Sequence, residues 1–101
     1  MIRVEIPALP ADPLGAAAAF HRDWLSDIEH RLASGTDVMV LLPPADYSHH
    51  QWRLAAIAGL ARKHAPSRAN MVAGEPGTAA VISTERYLAA APGVTGQYLE
   101  T

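Results

Sequence analysis

Asn70-Met71-Val72-Ala73-Gly74-Glu75-Pro76-Gly77, followed after a helical stretch by Val94-Thr95-Gly96-Gln97-Tyr98-Leu99, decides the fold. An apolar run from Arg68 to Ala73 reads as a strand, and the glycines and proline of 74–77 end it. Thr78 is placed to cap a helix over roughly 79–90, with Val81, Ile82, Glu85 and Leu88 on adjoining turns. Pro92-Gly93 stops that helix, and Gly96 to Glu100 returns as a short last strand.

Upstream, Asp37 to Leu42 is a continuous apolar run instead of an alternating one. Such a run marks a strand covered on both faces, hence a central parallel strand. Pro43-Pro44 ends it. Ser48 with Gln51 forms a capping-box pattern that opens a helix running to about His64, before Ala65-Pro66. Ala55, Ala56 and Gly59 form a smooth strip on that helix, flanked by Trp52 and Leu60.

Before the central strand, Asp12-Pro13 reads as an N-cap and first turn. The helical pattern from Leu14 to Ala33 carries Phe20, Trp24, Ile28 and Leu32 at four-residue intervals, and Ser34-Gly35 closes it. At the start, Ile2, Val4 and Ile6 alternate with Arg3 and Glu5, as on an edge strand with one buried face. The order β-α-β-α-β-α-β predicts one α/β domain over 1–101, with a small, mostly parallel four-stranded sheet and three helices. The short connections imply right-handed or closely packed crossovers.

Composition bounds the function. The net charge of −2 leaves no basic footprint for nucleic acid, and the absence of cysteine excludes disulfide and thiol chemistry. No apolar run reaches membrane-spanning length, and the first residues lack a signal-peptide pattern, so the expectation is a cytoplasmic protein. His49 and His50 are adjacent, which points them about 100° apart on a helix and not along one ligating face. Asp46 and Glu75 fall at strand ends, where α/β sites gather, and read as solvated loop carboxylates. Trp24 and Trp52 read as core residues, with interface anchors as the alternative.

From about Ala16 to Leu99 the chain resembles the C-terminal half of the short-chain dehydrogenase/reductase family. The residues carrying the likeness are Tyr47-Ser48-His49-His50-Gln51, Leu60-Ala61-Arg62-Lys63-His64-Ala65-Pro66, Asn70-Met71-Val72-Ala73, Pro76-Gly77-Thr78, Tyr87-Leu88 and Val94-Thr95-Gly96-Gln97. The resemblance implies a Rossmann-like fold and a remnant of its site. Tyr47 stands at the family tyrosine, and Gly74, Pro76, Gly77 and Thr78 at the loop lining the nicotinamide, displaced by an insertion at Gly74-Glu75.

The departures from the family pattern weigh more. The Gly-rich phosphate turn has no counterpart, which removes the backbone cradle for a dinucleotide. Gln51 stands where the family lysine would lower the tyrosine's pKa, and a neutral amide supplies no such charge. Ser34 has the family serine's distance from Tyr47 but precedes the strand it should follow. The expectation is therefore a truncated, non-catalytic relative with no cofactor. It would form a homodimer through the helices 14–33 and 48–64, which match the family's four-helix dimer bundle, with Trp24, Trp52, Ala55, Ala56 and Gly59 at the interface. The alternatives are an oxidoreductase subunit completed by a partner chain, such as a full-length dehydrogenase, and a small-ligand-binding module.

Overall fold

The computed structural model describes residues 1–101. The sheet comprises β1 (Ile2–Glu5), β2 (Val38–Leu42), β3 (Ala69–Ala73) and β4 (Tyr98–Glu100). Its order is β1-β2-β3-β4 and every neighbouring pair is parallel. All five residues of β2 and all five of β3 are buried, as expected of central strands covered on both faces. The α/β class and the parallel sheet stand as expected.

The helices are α1 (Pro13–Asp23), α2 (Leu25–Ala33), α3 (His50–His64) and α4 (Ala79–Ala90). There are four of them and not three, because the expected helix over 14–33 breaks at Trp24, where φ is −123°. Neither proline nor glycine marks the break. Phe20 before it and Ile28 and Leu32 after it are all buried, so tertiary packing and not a local breaker sets the bend. The caps follow the expected chemistry at two of three starts. Asp12 accepts from the Gly15 amide at 2.7 Å, and Thr78 Oγ1 from the Val81 amide at 3.3 Å. The Ser48–Gln51 capping box does not form. Asp46 instead accepts from the Ser48 amide and hydroxyl, winding Tyr47–His49 into a 3₁₀ turn ahead of α3.

Alternation along β2 divides the core in two. Val38, Val40 and Leu42 pack with Phe20, Ile28, Leu32 and Ile57 beneath α1, α2 and α3. Met39 and Leu41 face the opposite way and pack with Val72 beneath Val81 and Leu88 of α4. Each connection steps one strand in the same direction, so the one through α4, crossing the other face, has the opposite hand to the other two. Of the expected right-handed or closely packed crossovers, this one is therefore not of the same hand as the others. On the face that α4 crosses, Arg3 of β1 donates to Glu5 at 2.7 Å and to Glu85 of α4 at 2.8 Å.

The Val94–Gln97 segment is zipped onto β3 before β4 begins. Thr95 Oγ1 accepts from the Ala69 amide at 3.1 Å, and the Gly96 amide donates to the Ala69 carbonyl at 2.7 Å. Gly96 has φ +73°, and a Cβ there would lie 3.3 Å from that of Ala61 in α3. Glycine is thus required twice at this position, by conformation and by closeness.

Candidate functional site

Two adjacent cavities open over the C-terminal ends of the strands, where open α/β sheets gather ligands. The first, 180 Å³, lies between the ends of β1, β2 and β3 and is lined by Glu5, Ile6, Pro7, Leu41, Gly74, Glu75 and Pro76, among others. Its lining carries two carboxylates and no cation. The second, 290 Å³, lies between the Leu9–Ala11 segment and the Pro43–Asp46 turn, with His49 and Arg53 in its wall. Pro43 lines both.

The structure disperses the family-like residues. Tyr47 is 79% exposed in the 3₁₀ turn, and it lines neither cavity. Its ring stacks on His50 with centroids 5.2 Å apart and planes 12° apart. Gln51 is exposed on the helical side of the molecule, in a groove with Leu14, Ala17 and Trp52. Of the expected loop residues, Gly74 and Pro76 line the first cavity while Gly77 and Thr78 do not. Gly77 turns the chain at φ +83° and Thr78 caps α4, so both have local work to do. Ser34 sits at the C-cap of α2, ahead of β2 and at the other end of the sheet. Asp46 lies on the rim of the second cavity, its pKa lowered by hydrogen bonds from Ser48.

Arg53 is the residue the motif reading passes over, and His49 enters it only as one of an adjacent histidine pair. His49 is buried, and both ring nitrogens are engaged. The indole of Trp52 donates to Nδ1 at 3.1 Å, so Nε2 carries the proton and donates to the Ala11 carbonyl at 3.0 Å. This ties the Leu9–Ala11 wall to α3. Arg53 is only 2% exposed. Its Nη1 donates to the Pro43 carbonyl at 3.0 Å and to the Tyr98 hydroxyl at 3.2 Å. The guanidinium carbon lies 5.6 Å from the Trp52 ring centre and 5.9 Å from that of Tyr98. A signal for it existed: 49, 53, 57 and 60 share one helix face, and a charge in a stripe ending in Ile57 and Leu60 is out of place. No group of three or more His, Asp or Glu side chains converges as metal ligands would.

On the helical side, a groove between α1–α2 and α3 continues past Leu25, Ala55, Ala56 and Gly59 to a polar end at Glu29 and Lys63. Glu29 accepts from Lys63 and from His64, which together hold its carboxyl below the usual range. Trp24 and Trp52 are half-buried, packed against the core from this side, and Leu14 is 84% exposed.

A parallel α/β sheet with its cavities at the strand ends is a Rossmann-like arrangement. A family model described as "Short chain dehydrogenase-like protein" matches residues 4–101, and the chain belongs to that family. No curated protein and no solved structure matches it.

Proposed function

We propose that this short-chain dehydrogenase-like domain is non-catalytic and acts as a homodimeric interaction module, joined through the groove between α1–α2 and α3. Gly59 carries this reading. A glycine inside a helix destabilises it by roughly 1 kcal/mol relative to alanine. Nothing within the protomer asks for it, because a Cβ at Gly59 would meet no atom within 4 Å. A strip of Ala55, Ala56 and Gly59 bordered by Leu25 suits the close approach of a second helix, and a second copy of α3 supplies one with the same small face. Trp24 and Trp52, half-buried against the core on the same helical side, would border such an interface.

The side chains present lack the chemistry of a dehydrogenase site. Tyr47 is exposed away from the strand-end cavities, and Gln51 offers no positive charge to activate a phenol. A pyrophosphate placed in the 180 Å³ cavity would meet Glu5 and Glu75 without a compensating cation.

Size-exclusion chromatography with light scattering is expected to give twice the 10.8 kDa chain mass at micromolar concentration. Gly59→Glu and Ala55→Glu are expected to give folded monomers, with unchanged far-ultraviolet circular dichroism. A monomeric wild type, or variants that associate unchanged, would remove the proposal. Gly59→Ala separates the two roles of this position. It is expected to raise the intrinsic stability of the protomer by about 0.5–1 kcal/mol while weakening association. NADH titrated against the tryptophan fluorescence is expected to give no saturable transfer.

A further inference from the structure

Arg53 is the only ionic side chain in the buried interior, and no carboxylate pairs with it. A charge taken out of water is costly unless it is matched, so an unmatched guanidinium beside an open cavity asks for an anion. Its three nitrogens differ. Nη1 is committed to the Pro43 carbonyl and the Tyr98 hydroxyl. Nε is sealed from solvent without a partner. Nη2 makes no hydrogen bond within the protein and is not sealed, and Arg53 lines the 290 Å³ cavity.

We propose that this cavity is a binding site for a small organic monocarboxylate, whose charge pairs with Nη2 of Arg53 and whose body lies among Leu9, Pro10, Pro43 and Pro44. The volume admits a single ring or a short branched chain. The rim selects against higher charge. Asp46 stays ionised there, so a dianion such as phosphate would be repelled where a monoanion is tolerated. The cavity is pre-formed, because His49 of the 3₁₀ turn holds the Ala11 carbonyl and Arg53 of α3 holds that of Pro43. The site lies at the strand ends, apart from the helical groove, and does not rest on self-association.

The test is a nuclear magnetic resonance titration of the full chain with benzoate and with isobutyrate at constant ionic strength, using benzamide and inorganic phosphate as controls. Saturable shifts are expected at the amides of Ala11, Ala45 and Asp46 and at the Arg53 Nε–H for the carboxylates, and none for benzamide or phosphate. Arg53→Met keeps the packing stem and removes the charge. It is expected to remain folded with an equal or higher melting temperature and to lose at least about tenfold in benzoate affinity. Asp46→Asn retains the acceptor oxygen for Ser48 and removes the rim charge, so it is expected to tighten benzoate binding severalfold and guards against a misfolded Arg53 variant. Absence of saturation by either carboxylate, equal shifts from benzamide or phosphate, or unchanged affinity in Asp46→Asn would overturn the proposal.

Discussion

Asn70→Ala is expected to lower the unfolding free energy by about 1–3 kcal/mol, from the loss of two part-buried side-chain hydrogen bonds. Asn70 is buried in the middle of the sheet, and its amide holds the returning chain with both ends. Nδ2 donates to the Val94 carbonyl at 3.0 Å, and Oδ1 accepts from the Gln97 amide at 3.1 Å. Those two contacts set the path of Val94–Gln97 just before β4 pairs, with Met71 opposite Tyr98. Alanine leaves the Val94 carbonyl and the Gln97 amide without these partners, so the loss falls on β4 as well as on the total. For a domain of this size that is a large share of a stability of about 5–15 kcal/mol. Urea denaturation measures the total. Hydrogen exchange at the Gly96 and Thr101 amides, which donate to β3 carbonyls, is expected to rise well before that at Val38, which is held by the Arg68 carbonyl. A loss below about 1 kcal/mol would mean that water replaces the side chain at no penalty.

Asn70 also shows how far the sequence could be read. The Asn70–Gly77 and Val94–Gln97 segments placed the last two strands and the helix between them, and their order led to the family. The same residues gave no sign of their physical work, which is to zip a returning strand onto β3. The continuous run Val38–Leu42 announced a strand covered twice, because burial on both faces leaves no polar alternation. It could not say that α4 would cross the face opposite to α1–α3. That choice depends on where Val81 and Leu88 find apolar partners, which is a property of the assembled sheet. The break at Trp24 escaped for a similar reason, since the four-residue stripe from Phe20 to Leu32 runs straight through it. The candidate site was the least legible part. Tyr47 drew notice through a motif, yet it stands exposed beside His50. Arg53 matched no motif, but its charge sits on the buried stripe with His49 and Ile57 and lines the larger strand-end cavity.

Arg68→Met is expected to destabilise the domain by about 2–4 kcal/mol, because it unties α4 and leaves partners stranded. The Asp37 carboxylate accepts from the Arg68 amide at 2.7 Å and from its Nε at 3.1 Å. Nη1 of the same guanidinium reaches the end of α4, donating to the Leu88 carbonyl at 3.0 Å and to that of Ala91 at 2.8 Å. The last carbonyls of a helix lack intrahelical donors and carry the negative end of its dipole, so a fixed cation there serves both needs. Because α4 alone covers Met39, Leu41 and Val72, loosening its end exposes a whole sheet face. The same link makes stability depend on acid. The Arg68 amide and guanidinium hold the Asp37 carboxyl below its ordinary value of 3.8, against the opposing effect of burial. The unfolded chain therefore takes up a proton here before the folded one does. The stabilisation is complete above about pH 4 and is lost as pH falls through the lower folded value. Asp37→Asn is expected to be less stable than wild type at pH 7 and to show a shallower decline below pH 4. Denaturation curves at pH 7 and pH 3 measure both effects, and parallel declines for wild type and Asp37→Asn would show that the acid sensitivity arises from other carboxylates, with Glu29 beside Lys63 and His64 the first to test.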